Sequence, residues 1–549
     1  MSKISKAVKS QHEDKILRKN ETVKNFMGGD SYIYNPLDTL KMITASSIFG
    51  EPSYYRDGGI DSKHVKKSGL YTLNKLLTGY SIIPEFYDGK TTTEIMIDAI
   101  DKALDYDYVG TLEWAVELRT VYNIRLNPQI IMVRAAMHPK RREYTENGLD
   151  FGYYQSKVMS RADEPMSQMA YYMFINHGDK KGMPSILKRT WSKKLSSLND
   201  YAVNKYKNAE IGMINAVRIC HANSKVIDEL MQTGSVSVDA SKKTWEQYRS
   251  EGKNWEYILE NCKLGHMALL RNLRGIFTEI SDVSILNSVL DTLVDGVKYG
   301  KQFPFRYWSA YKAIEGIDGI HFKKEILNAL DKCIDISVDN MPRVKGRTIV
   351  LTDNSGSAWD CIPTEYGSVT VAEIDNLSAI ITAKCSDEGY VGVFGDRLEI
   401  VPISKHTRVL EAMKKVNEIG KKIGMSTENG IWIFFKNALK NKDFYNNIFI
   451  YSDQQAGHGG LYGTTDSVRE YTDLGYKCNY NHVNVFKLLL DYRKSVNSKV
   501  NMFSVQTAGY NNIVIPEMTY RCSLMYGWTG KEALFADMLI KQWDSVENQ

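Results

Sequence analysis

The segment Arg347 to Asp360 reads RTIVLTDNSGSAWD, and it places Asp353, Ser355 and Ser357 at alternate positions. One carboxylate and two hydroxyls are hard oxygen donors, which suit Mg²⁺ or Mn²⁺ rather than a soft metal. Asn354 and Gly356 between them tolerate the backbone angles of a tight turn. A capped turn with no ligand would also account for a single D-x-S-x-S.

A second set of residues is cationic. Lys181, Lys188, Arg189, Lys193, Lys194, Lys205, Lys207 and Arg218 are opposed only by Asp200 and Glu210, and Trp191, Tyr201 and Tyr206 are interleaved with them. His221 follows Arg218 at a helical i+3 spacing, so the two are expected to share a face. Lysines bind phosphate without reading sequence, and aromatic rings stack on exposed bases. A solvated helix face explains any one of these lysines; the cluster points to RNA or another polyanion. Arg271 and Arg274, in KLGHMALLRNLR, also lie three apart on one helix face. They have two open readings: phosphate contacts, or ion pairs locking neighbouring helices. PKRR at 139–142 and Arg161 share that ambiguity. Catalytic patterns are missing: there is no G-x-x-x-x-G-K-[ST], no H-E-x-x-H and no Ser-His-Asp order. His458, in GHGG, is the nearest approach to a general base. The chain reads as a non-enzyme.

The elements that must position these groups fall into two kinds. Ile349, Val350 and Leu351 form a short apolar run, a buried strand whose carboxyl end carries Asp353, where open α/β sheets hold their ligands. Further strands are expected to end near Asp396, at Asp453 and near Val505, with helices over 408–422 and 483–493. This alternation implies a doubly wound, mostly parallel sheet. From about residue 26 to 340 the pattern is helix after helix. Asn35-Pro36 and Asn127-Pro128 each supply a cap residue followed by proline at the first helical position, and Glu164-Pro165, Met183-Pro184 and Phe303-Pro304 mark three more starts. Stacked helical hairpins of the HEAT or armadillo kind are expected, without a clean period. The expected division is a polar tail over 1–25, a helical domain over 26–340 and an α/β domain over 341–549, with DISVDNMPRVKGR (335–347) as linker.

Bulk composition agrees with a soluble globular chain. Of the 549 residues 43% are hydrophobic and 25% charged, and the net charge of +5 permits a nucleic-acid partner without demanding one. The seven cysteines are scattered and odd in number, with no C-x-x-C, which points to free thiols in a reducing cytoplasm. No stretch has the length of a membrane span, and the polar N-terminus lacks a secretory pattern.

The D-x-S-x-S spacing resembles the metal-ion-dependent adhesion site of von Willebrand factor A domains. That resemblance implies a threonine and a second aspartate from later loops: Thr427 in GMSTE, and Asp453 after the run NIFIYS. Over most of residues 25–545 the chain resembles the Ro 60 kDa autoantigen family, a TROVE module followed by a von Willebrand factor A domain. SYIYNPLDTLKMITASSIFGEPSYYR, MALLRNLRGIF, FPFRYWSAYKAI and GRTIVLTDNSGSAW carry the likeness. The resemblance implies HEAT-like helical pairs closed into a ring, with the A domain clasping the ends. It implies Y-type small RNAs on an outer basic surface, single-stranded ends of misfolded RNAs in a positive hole, and hand-over to an exonuclease such as polynucleotide phosphorylase. It also implies that His221 contacts the Y-type RNA, that Lys188 to Lys194 and Lys205 to Lys207 supply the basic helices, and that Asp353, Ser355, Ser357, Thr427 and Asp453 hold the metal. A different class of function, a metal-dependent protein-interaction scaffold with incidental basic helices, is the alternative.

Overall fold

In the computed structural model the described residues are 23–24, 30–33, 35–45, 92–121, 124–176, 182–207, 211–237, 243–300, 302, 304–339, 341, 343–360, 369–424, 428–452, 485–507, 512–515, 520–526 and 532–547. Two short strands, β1 (Val23–Lys24) and β2 (Asp30–Ile33), pair antiparallel before the first helix. The polar tail expected to reach residue 25 therefore already contains a strand at its end.

From Pro36 to Asp339 the described elements are all helices. Several begin where the sequence predicts. Pro36–Ala45 and Pro304–Glu315 open on their prolines, and Ser185–Ser196 starts directly after Pro184. Asn127-Pro128 is displaced: its helix runs Leu126–Met137, so both residues lie within the first turn. Asn127 is instead spent on a tertiary contact, donating from Nδ2 to the Thr44 carbonyl at 2.9 Å. Other starts use polar caps. Asp107, Asn199, Ser224 and Asn254 each accept a backbone N–H of the first turn, and Thr244 with Gln247 closes a capping box.

Successive helices pack on one another. Tyr108–Thr120 lies against Leu126–Met137 and Phe151–Val158, and Ser185–Ser196 against Phe151–Val158 and Met213–Cys220. A buried polar relay joins three of these helices to a fourth, Glu164–Ile175. Trp191 Nε1 and Gln155 Nε2 both donate to Gln168 Oε1, at 2.7 and 3.0 Å, and Gln168 Nε2 donates to Gln129 Oε1 at 2.7 Å. Buried amides without such partners would be costly, so the relay fixes the relative register of the helices.

The helix Lys323–Asp339 takes up the first part of the expected linker and β3 (Val344–Asp353) its last part, so only the few residues between them are left to connect the two. The remaining strands are β4 (Ser386–Phe394), β5 (Leu398–Ile403), β6 (Asn447–Ser452), β7 (Asn501–Gln506), β8 (Asn512–Ile513) and β9 (Cys522–Tyr526). Five of them, all but β8, join β3 in a sheet of order β5-β4-β3-β6-β7-β9. All pairings are parallel except β4 with β5, which is an antiparallel edge that the sequence did not announce. The helices Val371–Lys384, Val409–Gly420, Glu428–Asn441, Val485–Ser495 and Glu532–Glu547 alternate with the strands. The result is the mostly helical chain with a doubly wound terminal domain that the periodicity predicts.

The strands divide the hydrophobic interior in two. Ile349, Leu351, Ile448, Ile450 and Met502 belong to one core, which continues through Leu112, Ile131, Met166, Trp191 and Val203 of the earlier helices. Val350, Phe449, Tyr451, Phe503 and Val505 point the other way, into a core that continues through Leu270, Phe277, Trp308 and Leu330 of the later helices. The period-two alternation of a strand buried on both faces produces this division. Both ends of the helical run also meet the α/β domain. β2 pairs antiparallel with β8 (Tyr32 opposite Ile513), and Lys323–Asp339 packs on Val409–Gly420. At the second junction buried Lys384 pairs with Asp335 at 2.8 Å, Asp335 also accepts the Val409 N–H, and Arg408 pairs with Asp331.

Candidate metal site and nucleic-acid interface

β3 delivers Asp353 to the carboxyl edge of the sheet, where its side chain is fully buried. Its Oδ1 accepts the Ser355 N–H at 2.9 Å, the Asx-type bond that shapes the turn, and its Oδ2 accepts the Ser452 hydroxyl at 2.8 Å. Ser355 Oγ lies 3.1 Å from Ser357 Oγ. The turn therefore brings Asp353, Ser355 and Ser357 together, as the spacing predicts. Beneath them Asn354, Asn376 and Asn417 form a ladder of amide hydrogen bonds at 2.9 Å that anchors the turn to the next two helices. Thr427 and Asp453, the later-loop ligands, lie outside the described residues.

Ser452 is a residue of the candidate site that the sequence pattern does not single out. It stands immediately before Asp453 at the end of β6 and orients the Asp353 carboxylate from the neighbouring strand. Its place beside Asp453 is the one local signal for it. The donor set is one carboxylate with hydroxyls, a chemistry that fits a hard divalent cation. No cluster of three or more His, Cys, Asp or Glu side chains placed for a metal occurs among the described residues. A hydroxyl-rich site of this kind does not depend on such a cluster. A bound cation would supply a positive charge with an open position for an incoming oxygen donor, and Asp353, Ser355 and Ser357 are the residues that would hold it.

The basic residues occupy three consecutive helices, Ser185–Ser196, Asp200–Tyr206 and Met213–Cys220. Trp191, Leu187 and Leu195 fill the core side of the first, which turns Arg189 and Lys193 to solvent and leaves Lys188 half-buried. Lys205 and Arg218 are exposed and Lys207 half-buried. Among the described residues Lys205 pairs with Glu246 at 3.7 Å, and Lys188, Arg189, Lys193, Lys207 and Arg218 face no carboxylate. A surface that keeps its cations unneutralised carries a field suited to a polyanion.

His221 departs from the expected geometry. The helix ends at Cys220, and His221 is its cap in the left-handed conformation, φ 57°. It does not continue the face of Arg218. The turn leaves its side chain exposed, and its carbonyl accepts the Ser192 hydroxyl at 3.4 Å, tying the cap to the basic helix. Arg271 is exposed and Arg274 half-buried on His266–Glu279, and neither meets a carboxylate among the described residues. The helix-locking ion pairs of the alternative reading are not seen there. Of PKRR, Lys140 donates to the Asp105 carbonyl at 2.6 Å.

Burial holds three thiols in their protonated form: Cys220 is pushed up to about 11, and Cys333 and Cys385 to about 12. No helix of the described chain is long and apolar enough to cross a membrane.

Residues 238–349 match the family model described as TROVE domain. The structure of the Deinococcus radiodurans RO (RSR) protein is similar to this one, with a TM-score of 0.55 at 12% sequence identity, over 80% of this chain and 93% of that one. No curated protein matches the sequence.

Proposed function

We propose that this chain, whose residues 238–349 match the TROVE domain model and whose fold is similar to that of the Deinococcus radiodurans RO protein, is a Ro-type protein that binds RNA and serves in RNA quality control without itself catalysing a reaction. The observation that carries the reading is the run of cations on the helices 185–196, 200–206 and 213–220, of which Lys188, Arg189, Lys193 and Arg218 face no carboxylate among the described residues. Lys188, Arg189, Lys193, Lys205, Lys207, Arg218 and His221 form the RNA surface, with Arg271 and Arg274 as further phosphate contacts. The RNAs are small non-coding species of the Y type and single-stranded ends of misfolded RNAs. The two junctions of the helical run with the α/β domain support a closed ring, which a free end can thread and a closed duplex cannot. The protein then acts as a tether that presents RNA to a 3′-exonuclease such as polynucleotide phosphorylase.

Charge reversal at Lys188, Arg189 and Lys205 is expected to weaken RNA binding. It also lowers the salt dependence by about 0.7 logarithmic units for each phosphate that is no longer neutralised. Fluorescence anisotropy with a labelled RNA at several salt concentrations measures both, and an unchanged titration would refute the basic surface.

A second reading has its own support, in the convergence of Asp353, Ser355 and Ser357. The α/β domain would take a partner's carboxylate through Mg²⁺ or Mn²⁺, with Thr427 and Asp453 completing the ligands. Partner capture abolished by a chelator, from protein whose absorbance ratio at 260 and 280 nm shows no nucleic acid, would favour that scaffold over the RNA-binding role.

A further inference from the structure

Beside the basic helices, aromatic rings and cations alternate in space. Lys205 Nζ lies 5.8 Å from the ring centre of Tyr201 and 5.9 Å from that of Tyr206. The Arg161 guanidinium lies 5.5 Å from the ring centre of Tyr206 and donates from Nη2 to its hydroxyl at 2.7 Å. The order is Tyr201, Lys205, Tyr206, Arg161. The first three come from the helix Asp200–Tyr206, and the fourth from the loop after Phe151–Val158. Sequence distance hides this: Arg161 and Tyr206 are 45 residues apart.

We propose that Tyr201, Lys205, Tyr206 and Arg161 form a stacking platform for the unpaired bases of a single-stranded RNA segment. This proposal deepens the RNA-binding reading and rests on it. Three features distinguish the platform from ordinary surface packing. Tyr201 and Tyr206 are only half-buried, and the Arg161 side chain is 40% exposed, so the group is reachable from solvent. The charge is not cancelled locally. Asp163 is shared between Arg161 at 3.0 Å and Arg125 at 2.9 Å, and among the described residues Lys205 has only exposed Glu246 at 3.7 Å, an ion pair too weak to compete with phosphate. The ring of Tyr206 is also held in place by the Arg161 hydrogen bond, so little freedom is lost when a base stacks on it. Cations in contact with aromatic faces match a ligand that alternates phosphate with flat π surfaces, and a base already paired in a duplex offers no free face.

The test uses the full-length protein and three labelled probes of equal length: oligouridine RNA, the same backbone without bases, and a blunt RNA duplex. The wild type is expected to bind oligouridine at least about tenfold more tightly than the abasic strand. Tyr201→Leu with Tyr206→Leu should remove that difference while leaving abasic binding and the duplex unchanged. Tyr201→Phe with Tyr206→Phe, which keeps the rings, should retain most of it and controls for folding. If the wild type binds oligouridine but the leucine variant binds it equally well, the platform is refuted and the RNA-binding reading stands. If the wild type binds none of the three probes, both fall.

Discussion

At the scale of single residues, the chain commits buried charge to structure and leaves several exposed cations facing no carboxylate among the described residues. Arg119 and Glu164 illustrate the first use. They pair at 2.8 Å with side chains 9% and 2% exposed, and the second Glu164 oxygen accepts the Arg161 N–H at 2.7 Å. One carboxylate thereby fixes a helix crossing and the start of the loop that carries Arg161. Glu164→Leu strands a buried guanidinium and is expected to destabilise the fold by about 3–5 kcal/mol, read as a lower urea midpoint. Replacing Arg189, exposed and facing no carboxylate among the described residues, should change stability by less than about 0.5 kcal/mol. If Arg189 were structural, the two variants would unfold alike. Asp353 follows the first pattern with a second purpose: the bond from Ser452 that holds its carboxylate also aims it.

Between elements, close packing is set by what is absent as much as by what is present. His266 opens the helix His266–Glu279, and the helix Val283–Gly300 meets its ring with two glycines. A Cβ at Gly296 would stand 2.4 Å from His266 Nδ1, and one at Gly300 2.4 Å from Cδ2. On the other side the Tyr307 hydroxyl, its pKa raised by burial, lies 2.7 Å from Nε2. His266 Nδ1 is buried without a hydrogen-bond partner among the described residues, and burial lowers the imidazole pKa below its usual 6.5. The sign follows from linkage. Below pH 6.5 the unfolded chain takes up a proton that the folded chain resists, so stability falls as pH drops from about 6.5 towards the lowered folded value and is level above it. Melting temperatures of the wild type should decline through that window, and His266→Gln should flatten the decline. An identical pH profile would show that the ring titrates freely. Gly296→Ala is expected to destabilise, because neither the ring nor the helix backbone can retreat.

For the molecule as a whole, the sheet is the partition on which two helical cores are built. The earlier helices are continuous with one face and the later helices with the other. The junction at Asp335 joins the second arm to the α/β domain through Lys384, whose side chain is 5% exposed and which also donates to the Thr407 carbonyl. Asp335→Ala removes the partner of a buried ammonium. It is expected to cost about 3–5 kcal/mol and to split calorimetric unfolding into separate transitions for the α/β domain and the helices. A single transition shifted by less than about 0.5 kcal/mol would show that the junction does not couple them.

The sequence alone determined what depends on neighbours along the chain. The apolar run before Asp353 and the alternation of strand and helix after it announced the doubly wound domain, because strand and helix periods are local. The D-x-S-x-S turn is legible for the same reason: Asp353 bonds to Ser355, two positions on. The proline junctions locate helix starts, but Asn127 reads as a cap because nothing local says that its amide reaches Thr44. Asp335 reads as the start of a linker because its partners, Lys384 and the Val409 N–H, are remote in sequence. His221 reads as part of the Arg218 face because the left-handed turn after Cys220 leaves no mark in a periodic pattern. Only the tertiary structure decided which of the described cations face no carboxylate, that Ser452 aims Asp353, and that Arg161 meets Tyr206. Each of these depends on how separate elements are placed, and it exists only once both backbones are in position.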